Sequence, residues 1–237
     1  LQPVTAESIT ETMSDCSWMI KRLKNNGDQI NGLLGSELEF QAEGVLTLTN
    51  DAIVSEGTWV VTTNQQGEWV VAMTMSDEPT VSFDWLLTDL KVGIVKFNVE
   101  EEFYELVIVK KCIDDNDEEE DITFIKSLFN NTEWDIAYFA ENEDESTELF
   151  ADVKLYLEND GTLEVRNLNG EVYSNGTWFV YRNDFSGKIE MIISFESGSN
   201  YEPLANDYQI LEIDEKRIEL KHENDTGLYD HLVLERE

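Results

Sequence analysis

Few residues of this chain could do acid–base or nucleophilic chemistry. Its 237 residues include two histidines, His222 and His231, and two cysteines, Cys16 and Cys112. The cysteines lie far from the histidines in sequence, so no cysteine–histidine or serine–histidine–aspartate order is indicated. Their spacing also does not predict a zinc site, and we favour a structural or surface role for both histidines. The sequence therefore predicts no enzyme, no metal centre and no cofactor.

Carboxylates are abundant, but no pair of them stands out as catalytic. The chain carries 51 Asp and Glu residues against 16 Lys and Arg, for a formal net charge of −35. Asp84 and Asp207 occupy equivalent places in the two copies described next, and we interpret both as turn residues. The acidic run 114–121 offers oxygen ligands for Ca²⁺ but lacks the spacing of an EF-hand, so a solvated linker is the better interpretation. A chain this acidic is repelled by phosphate backbones, which argues against nucleic-acid binding.

The second half of the chain repeats the first. Trp18 aligns with Trp134, and the sequence Gly-Thr-Trp occurs at both 57–59 and 176–178. The offset between the copies only grows along the chain, so each change is a small insertion in the second copy. Two domains and one linker are predicted, with the boundaries 1–113, 114–121 and 122–237.

Each copy begins with a helical pattern and continues with a period of two. Thr5 is suited to cap a helix over 6–13, and Asp121 is suited to cap one over 122–129. Eight strand candidates follow in each copy, separated by turns that contain Gly, Asn and Asp. This pattern predicts an all-β protein of two tandem eight-stranded antiparallel up-and-down barrels, because closure removes the exposed strand edges. The strands predicted in the first copy are 18–22, 37–41, 45–49, 58–63, 69–75, 83–87, 94–99 and 104–111.

A closed barrel places its first and last strands side by side. Cys16 stands just before the first predicted strand and Cys112 just after the last, so closure would bring the two together. The second copy has Thr132 and Glu237 in the matching places. We therefore favour a disulfide over two reduced thiols, and with it an oxidising compartment.

The order of the motifs resembles that of a known family. Trp-x-Ile at 18–20, Phe40-x-x-x-Gly44, Gly57-Thr58-Trp59 and Trp85 are similar to motifs of the lipocalin-like, calycin-type domains of exported Bacteroidetes proteins. The second copy repeats them as Leu157-x-x-x-Gly161, Gly176-Thr177-Trp178 and Tyr208. The resemblance implies lipocalin-like barrels, no reaction, and export to the periplasm, the outer membrane or the medium. It also implies a removed leader and an N-terminal lipid anchor, and the chain begins with Leu1 rather than Met.

The large inward side chains lead to two functional hypotheses. An eight-stranded barrel either is filled by its own side chains or holds one small ligand. The first hypothesis is a non-enzymatic, monomeric protein that binds a small apolar molecule in a barrel. The alternative is a solid-barrel interaction or structural protein, at the cell surface or in the periplasm, that contacts a partner protein or a glycan. No apolar run is long enough to span a membrane.

We expect any ligand cavity to be larger in the second copy. Two tryptophans of the first copy are replaced there by Ile189 and Tyr208, and the loops at 142–147 and 197–204 are longer. These loops are expected around a barrel mouth, with the Tyr208 hydroxyl as the polar contact to the ligand. The predicted lining residues are Trp59, Met73, Trp85, Trp134, Trp178, Met191, Phe195 and Tyr208.

Overall fold

Residues 4–99, 103–112 and 120–237 are described by the structure, a computed structural model, and they are mostly β. The chain divides into two units, Leu1–Asp114 and Asp115–Glu237. Each unit contains one closed eight-stranded antiparallel barrel preceded by a short helix, which confirms the predicted fold class and the internal duplication. Among the described residues, no helix is long and apolar enough to cross a membrane.

Helix α1 (Ala6–Ser14) begins the first unit where the sequence predicts it. The Thr5 hydroxyl accepts a hydrogen bond from the Ser8 amide at 3.1 Å, and Ser8 Oγ accepts one from the Thr5 amide at 2.9 Å. This reciprocal capping satisfies amides that the first turn would otherwise leave unpaired. Ile9 and Met13 lie on one face of the helix and pack into the interior of the barrel.

The strands of the first unit follow one another around the barrel. Each strand from β3 to β9 pairs with the next, and β1 pairs with both β3 and β9, which closes the barrel. The short β2 folds back on the end of β1 and was not predicted. The strands are β1 (Ser17–Asn25), β2 (Asp28–Gln29), β3 (Glu37–Phe40), β4 (Val45–Asn50), β5 (Ile53–Thr63), β6 (Trp69–Met75), β7 (Asp84–Leu90), β8 (Ile94–Val99) and β9 (Tyr104–Lys110).

Helix α2 (Glu120–Phe129) begins the second unit, and it starts earlier than predicted. Asp121 therefore lies in the first turn, and the prediction that it is the N-cap was wrong. Its carboxylate accepts from the Ile122 amide at 2.9 Å and forms an ion pair with Arg182. A negative charge is stabilised there by the helix dipole, so an acidic residue suits the first turn as well as the cap. Of the predicted linker, 114–119 lie outside the described residues.

The second barrel repeats the pairing of the first. Strand β10 pairs with both β12 and β18, and the strands between them pair in chain order. Both barrels have an irregularity at the same place in the first strand, between Ile20 and Arg22 and between Ile136 and Tyr138. The strands are β10 (Thr132–Glu141), β11 (Asp144–Glu145), β12 (Val153–Leu157), β13 (Thr162–Asn167), β14 (Val172–Arg182), β15 (Ile189–Phe195), β16 (Asn206–Ile213), β17 (Arg217–Glu223) and β18 (Tyr229–Glu235).

A disulfide links the two strands whose pairing closes the first barrel. Cys16 and Cys112 form a disulfide with their Cα atoms 5.8 Å apart and a sequence separation of 96. The bond lies where β1 begins and β9 has just ended, and the Lys111 amide donates to the Ser17 carbonyl there at 3.0 Å. The disulfide predicted from barrel closure is confirmed.

Candidate functional site

The predicted lining residues lie inside the two barrels. All of them are between 0 and 6% exposed, so none has a face on bulk solvent. In the first barrel they belong to one continuous cluster of buried side chains that also includes residues of α1. Whether these residues can offer a polar contact to a ligand depends on what their N–H and O–H groups already bind.

The tryptophans of the two Gly-Thr-Trp motifs use their polar atoms within the protein. Trp59 Nε1 donates to the Gln41 carbonyl at 2.8 Å, and Trp178 Nε1 donates to the Glu158 carbonyl at the same distance. The backbone amide of each tryptophan donates to the glycine that ends the same turn, Gly44 or Gly161. Each motif therefore fastens the turn between two preceding strands, which is a structural role.

Trp85 and Tyr208, which occupy equivalent positions in the two barrels, also donate to backbone carbonyls. Trp85 Nε1 donates to the Val81 carbonyl at 2.8 Å, and the Tyr208 hydroxyl donates to the Leu204 carbonyl at 3.0 Å. Burial, and then the negative charges of Asp230 and Asp207, raise the pKa of Tyr208 well above its usual value. The protonated hydroxyl is thus engaged by the backbone, and its contact to a ligand stays a prediction.

One buried donor of the second barrel differs from its counterpart in the first. Trp18 Nε1 donates to the Met13 carbonyl at 2.9 Å. Trp134 Nε1 is fully buried, and within the described part of the chain it has no hydrogen-bond partner. A buried donor without a partner costs about 1–3 kcal/mol, so an acceptor placed beside this atom would stabilise the barrel.

The surface clefts formed by described residues include three that no predicted ligand residue lines. One of about 470 Å³ includes Arg236 and Lys154, and another of about 460 Å³ includes Asp15 and Lys91. The third, of about 500 Å³, is lined by Tyr173, Ser174 and residues 196–201 of the second barrel. We call this third one the tyrosine cleft.

The two ends of the second barrel are closed differently. At one end, Phe129 of α2 packs on Trp178 with ring centroids 5.1 Å apart. Because antiparallel connections alternate between the ends, the β10–β12, β13–β14, β15–β16 and β17–β18 connections share the other end, which we call the loop end. There the Tyr201 ring lies 6.4 Å from that of Phe150 and 6.2 Å from that of Phe195. The loops 142–147 and 197–204 therefore lie at one end of the barrel, as the sequence predicts.

A polar cluster lies near the loop end, on β16, β17 and β18. His222 Nδ1 is 2.9 Å from Asp207 Oδ1, and both side chains are mostly buried. Asp230 accepts from Asn206 Nδ2 and from the Asn142 amide, each at 2.8 Å. Burial opposes the charged imidazole, but the hydrogen bond and charge of Asp207 outweigh it and raise the pKa of His222. Asp207 is the second residue of β16 and Asp84 is the first residue of β7, so the interpretation of both as turn residues was wrong.

The first barrel shows that the fold does not need this cluster. Val99 pairs with Tyr104 in the β8–β9 ladder as His222 pairs with Asp230 in the β17–β18 ladder. Phe83 stands where the second copy has Asn206, and its ring lies 4.9 Å from that of Tyr104. Apolar and aromatic packing therefore fills the same place in one barrel that a hydrogen-bonded polar network fills in the other. Asp84, the counterpart of Asp207, is exposed.

The remaining histidine has an ordinary surface role. His231 Nε2 lies 3.0 Å from Glu219 Oε1, and both side chains are partly exposed. Among the described residues, no group of three or more His, Cys, Asp or Glu side chains is placed to hold a metal ion.

The fold and the loop end define a class: two tandem closed β-barrels with aromatic cores, of which the second carries its own cleft and polar cluster. Comparison with protein-family models, with curated proteins and with solved structures found no match to this chain. Its function must therefore be argued from its own residues.

The His222–Asp207 pair should make the stability of the second barrel depend on pH. Folding raises the pKa of His222. The stabilisation is therefore complete below the pKa of an unfolded histidine, about 6.5, and is lost as the pH rises through the pKa of His222 in the folded protein. We expect His222→Gln to lower the free energy of unfolding by about 1.5–3 kcal/mol at pH 6, and by less at pH 9. Urea unfolding followed by hydrogen exchange of peptides from 120–237 measures this difference. The control is His231→Gln, for which an exposed pair predicts about 0–1 kcal/mol; equal losses in the two variants contradict the prediction.

Proposed function

We propose that this chain is an exported, non-enzymatic binding module in which two filled barrels support a contact surface at the loop end of the second barrel. One observation carries the proposal. The aromatic N–H and O–H groups that a ligand would meet, on Trp59, Trp85, Trp178 and Tyr208, donate to backbone carbonyls of the protein itself. Buried polar groups that are satisfied internally stabilise a core and offer little to a ligand.

The disulfide supports export, because such bonds persist in oxidising compartments. The resemblance to lipocalin-like exported proteins supports the same localisation, in the periplasm, at the outer membrane or in the medium. Barrel closure supports a monomer, since it leaves no long strand edge for pairing with another chain. A net charge of −35 favours neutral or cationic partners over anionic ones.

The loop end of the second barrel is the best candidate for the contact surface, because it departs most from the first copy. The connection before β16 is longer than the one before β7, and it adds Tyr201. Polar groups replace the aromatic packing of Phe83 and Tyr104 nearby. A scaffold needs neither change, so we assign both to recognition of a partner protein or glycan.

The test of filled barrels is a search for an interior ligand. The full chain, purified from its own cells without denaturation, is weighed by native mass spectrometry and titrated with the neutral apolar dye Nile red. We expect the mass of the chain alone and no saturable dye binding while the protein is folded. A retained apolar molecule, or stoichiometric dye binding to the folded chain, overturns the proposal.

A second candidate function is binding of a small molecule inside the second barrel. The unpartnered Trp134 Nε1 favours it, because an oxygen acceptor on a ligand would satisfy this donor. It predicts that the same measurements find a ligand in wild type and that Trp134→Phe weakens its binding. Trp18→Phe is the matched control. It removes the equivalent donor of the first barrel, which already donates to the Met13 carbonyl, so it should leave the binding unchanged.

A further inference from the structure

The tyrosine cleft has a composition suited to a particular class of ligand. Tyr173 is 57% exposed and Tyr201 is half-buried, so both present aromatic surface. Most of the other lining residues are polar: Ser174, Glu196, Ser197, Ser199 and Asn200. At about 500 Å³ the cleft falls within the size range of small-molecule sites.

Tyr173 is held in position by a buried amide. Its hydroxyl accepts a hydrogen bond from Asn167 Nδ2 at 3.0 Å, and Asn167 is only 9% exposed. Asn167 is fixed in turn by the turn that follows it, because its Oδ1 accepts from the amides of Asn169 and Glu171, each at 2.9 Å. An exposed ring that is already ordered loses little conformational freedom when it binds.

The opposite wall, on residues 196–201, is also fixed. The Tyr201 ring packs on Phe150 and Phe195, which are both buried. Ser199 Oγ lies 2.8 Å from Ser174 Oγ, so the loop is tied to the adjacent strand. The Glu196 carboxylate accepts from Asn175 Nδ2 at 2.9 Å. Both walls are therefore ordered before any ligand arrives.

The first barrel lacks this arrangement. In the first barrel Thr49 pairs with Val54, and the matching pair of the second barrel is Arg166 with Val172. Tyr173 is the extra residue of an irregularity in the β13–β14 ladder that the β4–β5 ladder does not have. The connection 76–83 is shorter than 196–205 and contains no tyrosine. Tyr201 also packs on buried rings, but the Tyr173 ring is 57% exposed and the first barrel closes without it, so its presence calls for a reason other than core packing.

We propose that the tyrosine cleft binds a neutral glycan, with one sugar ring against Tyr173. The apolar C–H face of a sugar suits an aromatic ring, while its hydroxyls suit carboxylate, amide and serine groups. The polar lining disfavours an apolar molecule, and the net charge disfavours an anionic polysaccharide. This assignment rests on the proposed function, because it names the partner of the loop end.

The test uses the full chain and four neutral oligosaccharides: cellotetraose, xylotetraose, maltotetraose and mannotetraose. Saturation-transfer NMR and calorimetry should detect at least one of them, with a Kd of about 1 mM or tighter. We expect Tyr173→Val, which removes the ring and leaves a residue suited to a strand, to weaken that binding about tenfold or more. Tyr173→Phe keeps the ring and should retain most of the affinity. The control is Phe124→Ala on α2, which removes a ring of similar exposure (56%) and should change nothing.

Two results overturn the assignment. Absence of binding by all four oligosaccharides does so, and so does binding that Tyr173→Val leaves unchanged. Hydrogen exchange of 120–237 shows whether each variant is folded, and the 57% exposure of Tyr173 predicts that Tyr173→Val is. Neither result depends on the search for an interior ligand, so the filled-barrel proposal stands or falls separately.

Discussion

Gly176→Ala should lower the free energy of unfolding of the second barrel by about 3 kcal/mol or more. A Cβ at this position would lie 2.1 Å from the Ser194 carbonyl oxygen of the neighbouring strand. The atom it meets is backbone in the β14–β15 ladder, where Gly176 pairs with Phe195, so it cannot swing aside like a flexible side chain. Strand β15 must shift, and the shift disturbs the buried ring of Phe195 and the pairing on both sides.

Gly170→Ala is the matched control for this prediction. Gly170 has a positive φ of +84° but open space around its Cβ position, so only backbone strain of about 1–2 kcal/mol opposes alanine there. Urea unfolding followed by hydrogen exchange of peptides from each unit gives both values. Gly57→Ala should act in the same way on the first barrel, where the Thr74 carbonyl is 2.2 Å away. If Gly176→Ala is no worse than Gly170→Ala, the close approach of the strands does not constrain the sequence.

The Gly-Thr-Trp repeat shows why so much of the fold could be predicted. The glycine permits close approach of a neighbouring strand, and the tryptophan two residues later donates to the turn before it. Both requirements fall within three consecutive residues, so they leave a visible motif. Strands with a clear period of two were placed well, and β6 and β8 have the predicted bounds. The short arms β2 and β11 were missed, because two residues carry no period.

The loop end could not be predicted from the sequence in the same way. Its groups come from connections far apart in the chain, and their proximity follows only from the register of the barrel. A signal did exist in the comparison of the copies. Phe83, Val99 and Tyr104 are replaced in the second copy by Asn206, His222 and Asp230. Tyr173 is added there at an irregularity of the β13–β14 ladder. Taken one at a time these changes look like surface variation; together they mark one end of one barrel.

Reduction of the Cys16–Cys112 disulfide should destabilise the first barrel by about 4–5 kcal/mol in the chain-entropy model. The bond closes a loop of 96 residues, which removes many conformations from the unfolded first unit. It joins the beginning of β1 to the end of β9, so it also holds the two strands whose pairing closes the barrel. The second barrel has the same closure between β10 and β18 without a cysteine. Its stability should therefore not respond to reduction.

The two barrels of one chain provide the measurement with its own control. Hydrogen exchange of peptides from 4–99 and from 120–237, with and without dithiothreitol, separates the two responses. We expect faster exchange in the first set alone, and the same result for the double variant Cys16→Ser, Cys112→Ser. Because α1 packs Ile9 and Met13 into the first barrel, their segment should lose protection together with β1. An equal loss in both barrels would show that their stabilities are coupled, and no loss in either would show that packing alone closes the first barrel.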